Sequence, residues 1–197
     1  MYDYIKGQIT ELTPAYAVLE TAGIGFLIHI PLSVYSQLNG QTSAKLFVYQ
    51  AIREDAHLFY GFSTQAERQL FLLLISVSGI GPNTARMIMS SYSAAEIQDM
   101  IATGNVTALN SIKGIGSKTA QRIIVDLKDK ILKIGGIDNA QGTQLSLQSN
   151  PVKEEAISAL VMLGFASSAS QKAVEQLIKN EPGLKVEQLI KLALKML

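Results

Sequence analysis

The chain of 197 residues has no cysteine and no tryptophan, only two histidines, and a formal net charge of just +1. Without cysteine there is neither a disulfide nor a thiolate metal site, which fits a reducing compartment. No Gly-x-x-x-x-Gly-Lys-Ser/Thr loop occurs, so the chain is not an ATP-driven motor by that route. No cluster of carboxylates suggests a two-metal nuclease centre. His29 and His57 have no sequence partner with which to form a dyad, so no catalytic residue, metal or cofactor is expected. No apolar run is long enough to span a bilayer, and the opening Met1-Tyr2-Asp3-Tyr4-Ile5-Lys6 is not a signal peptide. A cytoplasmic protein without membrane contact is expected. What the chain does have is apolar residues, 48% against 17% charged, ample for packed cores.

Two stretches organise the rest. Ser78-Gly79-Ile80-Gly81-Pro82-Asn83-Thr84-Ala85 and Lys113-Gly114-Ile115-Gly116-Ser117-Lys118-Thr119-Ala120 are one pattern written twice, 35 positions apart (114 − 79). Each follows an apolar helical run, passes through Gly-Ile-Gly and opens a second helix. Gly-x-Gly permits torsions and a close approach that a Cβ would block. The helix that follows starts with unpaired amides at the positive end of its dipole, an arrangement suited to anions. Lys118 and Arg122, four apart, share one helical face and suit neighbouring phosphates. Two such loops would grip both strands of a duplex without reading a base. The plainer alternative is a pair of packing turns with glycine caps.

Charge follows the same division. Residues 1–62 sum to −2, residues 63–134 to +3 and residues 151–197 to +1, with Asp138 alone between them. The excess on the hairpin segment is modest, so one protomer should bind DNA weakly and with a shallow salt slope. Useful affinity then requires several protomers on one substrate.

Residues 1–62 read as five short strands: around Ile5–Ile9, Tyr16–Thr21, Phe26–Ile30, Lys45–Ile52 and His57–Tyr60. A turn at Ala22-Gly23-Ile24-Gly25 and a helical insert at Leu32–Leu38 complete an oligonucleotide-binding (OB) type β-barrel. The last hairpin has Arg53-Glu54-Asp55 at its tip, which on residue types alone is an ordinary solvated turn. Residues 63–134 form a bundle of about five helices. Ser63-Thr64 is a cap, Ala66, Leu70, Leu73/Leu74 and Val77 form a stripe, and Ser93-Ala94-Ala95-Glu96 is a capping box. Asn105 caps the next helix, and Ala120, Ile123/Ile124, Leu127 and Ile131 line the last; Met87 and Met89 are read as core. Residues 135–149, rich in Gly, Gln, Ser and Asn, read as a flexible linker. Asn150-Pro151 starts three short helices, Pro151–Leu163, Ser168–Lys179 and Val186–Met196, with a Leu163-Gly164-Phe165 turn after the first. The fold class is therefore multidomain α+β: barrel 1–62, tandem hairpin bundle 63–134, linker 135–149, and a small three-helix domain 150–197.

The doubled apolar-x-x-Gly-Ile-Gly-x-x-Thr-Ala pattern resembles tandem helix-hairpin-helix DNA-binding motifs. Together with the flanking segments, essentially the whole chain is similar to the RuvA family, the Holliday-junction-binding subunits of bacterial branch-migration complexes. The resemblance implies a non-catalytic homotetramer, single or paired, on open four-way junction DNA during recombination, DNA repair and the SOS response to DNA damage. Gly79, Gly81, Asn83, Thr84, Gly114, Gly116, Ser117, Lys118 and Arg122 would contact backbone phosphates. Glu54 and Asp55 would form the family's acidic pin at the crossover, repelling phosphates, with Arg53 beside it. Residues 150–197, ubiquitin-associated-like, would dock a RuvB-type ATPase through Leu163, Gly164 and Phe165, and a RuvC-type resolvase is a further implied partner. Asn83 and Ser117 depart from the lysines common at the corresponding hairpin positions, which lowers the expected salt dependence. Two readings from other classes compete: a repair glycosylase or nuclease that uses the hairpins for grip, for which no catalytic constellation is present, and a scaffold whose hairpins are merely turns.

Overall fold

Helix and strand formation follows the apolar patterning closely. The computed structural model describes residues 2–138, 151–181 and 183–197, with side chains omitted for 132–138 and 151. Five strands, β1 (Tyr4–Leu12), β2 (Tyr16–Thr21), β3 (Ile24–His29), β4 (Ser43–Ile52) and β5 (His57–Phe62), close into a barrel in the order β1-β2-β3-β5-β4. The β3–β5 pair is parallel and the others antiparallel. Helix α1 (Leu32–Leu38) fills the link between β3 and β4 where the sequence places it. Strand β1 serves both neighbours: Tyr4–Gln8 pair with β4 and Gln8–Leu12 with β2, with a bulge between Ile9 and Glu11. Such a bend is how a short sheet closes on itself. Gly7 permits it, because a Cβ there would run into the Glu20 backbone.

Helices α2 (Gln65–Ile75), α3 (Pro82–Ser91), α4 (Ala94–Thr103), α5 (Val106–Asn110) and α6 (Ser117–Asp138) follow. Their starts are legible as local chemistry. Thr64 and Glu67, and Ser93 and Glu96, form reciprocal capping boxes, while Asn105 Oδ1 accepts from Ala108 N at 3.0 Å. Two details of the helical reading need correction. Ala66 is exposed, and the side chain that anchors α2 is Phe71, fully buried. Met89 is core as expected, but Met87 is 38% exposed.

The barrel keeps its own core around Leu19, Ile28, Ile30 and Leu46. A second core runs through the bundle and takes Ala51, Tyr60 and Phe62 from the barrel strands. Phe71 sits at the junction, its ring 4.8 Å from Phe62 and 5.5 Å from both Tyr49 and Tyr60. Barrel and bundle therefore share apolar packing and form one compact unit, 1–141. Arg68 reinforces it, donating to Asp3 Oδ1 and to the Asp3 carbonyl, each at 2.7 Å.

Helix α6 runs on through Gly135 and Gly136 to Asp138, four residues into the segment read as linker. The rest of that segment, 139–149, and Asn150 lie outside the described residues. The second unit, 142–197, has helices α7 (Pro151–Met162), α8 (Ser167–Asn180) and α9 (Val186–Ala193) around Ala156, Leu160, Val174 and Leu189.

Candidate nucleic-acid interface

The two glycine loops are copies in structure as well as sequence. In the first, Ile80 N donates to Val77 O at 3.0 Å and Ala85 N to Gly81 O at 3.0 Å. In the second, Ile115 N donates to Ile112 O at 3.0 Å and Ala120 N to Gly116 O at 2.9 Å. Each bond recurs 35 residues later, the repeat of the sequence. The apolar partners repeat likewise: Leu74, Val77, Ile80, Ala85 and Ile88 are buried, as are Leu109, Ile112, Ile115, Ala120 and Ile123. These side chains plug each loop into the shared core and leave Ser78-Gly79, Gly81, Lys113-Gly114 and Gly116 outside.

The four glycines divide into two kinds. Gly79 and Gly114 have φ of +93° and +89°, where a side chain is strained. Gly81 has φ −88° and Gly116 also lies outside the left-handed region, and a Cβ at either would meet nothing within 4 Å. Neither torsion nor packing within the chain asks for glycine there. What a Cβ would obstruct is an approach from outside, at the point where α3 and α6 begin. Helix α3 starts from Gly81 without any side-chain cap, unlike α2, α4 and α5. Its first amides therefore face outward unsatisfied by the protein, at the positive end of the helix.

In the 35-residue register the loops differ in charge. Ser78, Asn83 and Met87 of the first correspond to Lys113, Lys118 and Arg122 of the second. The cations belong to one loop of the two. This register also sets Ser117 opposite Pro82 and Lys118 opposite Asn83. Lys113 was not among the expected contacts, although aligning the repeats places it beside them. Thr84 is half-buried in the first turn of α3, and Ser117 is exposed at the start of α6. Arg122 joins the loops directly: its Nη1 donates to Ser78 O at 3.3 Å. Asn83 is tied to the barrel, its Oδ1 accepting from the Tyr60 hydroxyl at 3.1 Å. Burial pushes the Tyr60 hydroxyl pKa up, partly offset by the charges of Arg86 and Arg53, so it stays a donor. Both Tyr60 and its packing role escaped the sequence reading, since a Tyr in a barrel strand looks like core.

The acidic tip joins β4 to β5 through Arg53–Ala56, closed by Arg53 N to Ala56 O at 2.8 Å. Arg53, Glu54 and Asp55 are all exposed. Among the described residues the ion pairs are Arg68–Asp3 and Lys153–Glu175, so none involves the tip carboxylates or the hairpin cations. The tip leads into the strand that carries Tyr60, five residues beyond Asp55. His57 is exposed at the base of this tip, whereas His29 lies 5.6 Å from the Tyr60 ring. Burial, and then the charge of Arg86, lowers the His29 pKa. No grouping of three or more His, Cys, Asp or Glu suited to a metal occurs among the described residues.

The chain matches three family descriptions in succession: "RuvA N terminal domain" over residues 1–61, "SAM-like Helix-hairpin-helix tandem" over 71–129, and "RuvA, C-terminal domain" over 151–197. Proteins named Holliday junction branch migration complex subunit RuvA are 54% identical in Bacteroides fragilis, 52% in Bacteroides thetaiotaomicron and 48% in Porphyromonas gingivalis, each over the whole of both chains. The chain belongs to the RuvA family. Its OB-type barrel, tandem helix-hairpin-helix bundle and C-terminal domain are the family's modules in the family's order. In this RuvA-family chain the match for the first module ends at residue 61, within the strand that feeds the shared core around Phe71.

The RuvA C-terminal module distributes its turn residues unequally. Gly164 has φ +100° and turns the chain after α7, with Phe165 N donating to Leu160 O at 3.2 Å. Phe165 packs on the module's own core, whereas Leu163 is 60% and Met162 86% exposed. The apolar surface at this turn is thus Met162-Leu163. Among the described residues no helix is long and apolar enough to cross a membrane.

Proposed function

We propose that this chain binds four-way junction DNA by its shape, without reading sequence, and serves there as the non-catalytic DNA-holding subunit of a branch-migration complex. The observation that supports this best is the pair of hairpins, repeated in backbone hydrogen bonds and buried positions, at which a Cβ on Gly81 or Gly116 would meet nothing within 4 Å. Four protomers with square symmetry would bring eight hairpins to the four arms. Backbone amides around Gly79, Gly81, Thr84, Gly114, Gly116 and Ser117, with the side chains of Asn83 and Lys118, would hold phosphates, and Arg122 and Lys113 would add charge. Contacts confined to the backbone suit a task that must proceed through any sequence. Glu54 and Asp55, exposed and without ion-pair partners among the described residues, would stand at the crossover and keep strands apart by repulsion. The exposed Met162-Leu163 edge of the last module would meet a RuvB-type ATPase that supplies the motor, and a RuvC-type resolvase is a further candidate partner.

Fluorescence anisotropy of a labelled four-way junction against a linear duplex of the same arm sequence, over a salt series, tests the proposal. A strong preference for the junction is expected. Equal, weak binding to both would reduce the chain to a generic helix-hairpin-helix binder, and no binding to either would make the hairpins structural turns.

A further inference from the structure

We propose that Tyr60 is a positioning residue for the first hairpin, its hydroxyl holding the Asn83 side chain so that the amide NH2 faces a DNA phosphate. The inference rests on the reading of the hairpins as the DNA interface. At one and the same position of the repeat, the second hairpin presents Lys118 and the first presents Asn83. These two side chains do the same work only under different conditions. An ammonium is a donor in every orientation, whereas an amide has one donor end and one acceptor end. Turned the wrong way, Asn83 would aim its oxygen at a phosphate oxygen, and a freely rotating amide would spend much of its time so. In the structure the oxygen end is already occupied: Tyr60 donates to Asn83 Oδ1 at 3.1 Å. With the oxygen turned toward Tyr60, the NH2 is the end of this exposed side chain left for a phosphate.

Tyr60 is itself fixed. It is 2% exposed, its ring is stacked on Phe71 at 5.5 Å and 28°, and its strand position pairs with His29. A barrel residue thus sets the donor geometry of a hairpin residue 23 positions away. The first hairpin has no cation at any of the three register positions where the second carries Lys113, Lys118 and Arg122. Orientation is what it has in place of charge.

The test compares Tyr60→Phe in two backgrounds, the natural chain and Asn83→Lys, by junction anisotropy at fixed salt, with thermal melts to show that each variant folds. In the natural chain Tyr60→Phe should weaken junction binding about fivefold, the worth of one well-placed hydrogen bond. In the Asn83→Lys background the same change should cost less than about twofold, because a lysine needs no orienting partner. An equal loss in both backgrounds would make Tyr60 a structural residue only, and no loss in the natural chain would also overturn the proposal. If the natural chain fails to bind the junction while remaining folded, both this inference and the DNA-binding reading fall. Junction binding with an indifferent Tyr60→Phe removes this inference alone.

Discussion

At the scale of residues, the hairpin glycines separate two demands that usually coincide. Gly79 and Gly114 occupy left-handed torsions, so Gly79→Ala or Gly114→Ala should destabilise the fold by about 1 kcal/mol or more. Gly81→Ala and Gly116→Ala meet no neighbour within 4 Å, and Gly81 has an ordinary φ. They should lower the melting temperature by no more than the N-cap preference of glycine over alanine, while weakening junction binding several-fold, because the added methyl stands where a phosphate would approach. Melting and anisotropy on the four variants decide the matter. If Gly81→Ala and Gly116→Ala bind as the natural chain does, the bare helix starts are not a contact surface. Asn83 illustrates the same division differently. Its sequence shows a lost charge, whereas its setting shows a side chain held from behind by Tyr60.

At the scale of elements, local chemistry was far more legible than partnership. The capping boxes at Thr64 and Ser93, the Asn105 cap, α1 and the repeat of the hairpins all follow from short-range rules, and the sequence displays them. The shared core was not legible, because nothing in Tyr49, Tyr60, Phe62 or Phe71 says which element each ring will meet. A boundary drawn at residue 62 falls where Phe62 leads straight into packing with α2. Ala66 was misjudged for the same reason: at helical spacing it fits the stripe, yet α2 turns Phe71 and not Ala66 to the barrel. The consequence is testable. Phe71→Ala removes a ring that touches both sets of elements and should cost about 3–5 kcal/mol. Amide hydrogen exchange in β4, β5 and α2–α6 should accelerate together. Strand amides that stay protected while helix amides open would mean that the barrel stands without the bundle.

At the scale of the whole molecule, a net charge of +1 looks poorly suited to DNA until its placement is considered. Lys113, Lys118 and Arg122 lie on the second hairpin, and the acidic tip joins two strands of the same compact unit. On the proposed reading, attraction and repulsion would belong to one unit. On that reading a single protomer would make few phosphate contacts, so affinity would come from copies acting together. That argument yields a count. Each lost phosphate contact lowers the slope of log K against log salt by about 0.9. Lys118→Ala removes one such contact per engaged protomer, uniformly across sequences. One tetramer on a junction should therefore lose about 3.6 in slope, and two tetramers enclosing it about 7. A salt titration of the natural chain and of Lys118→Ala against the same junction gives the difference directly. A change near zero would remove Lys118 from the interface, and a change near 0.9 would mean that a single hairpin engages the DNA, contrary to the symmetric arrangement proposed here.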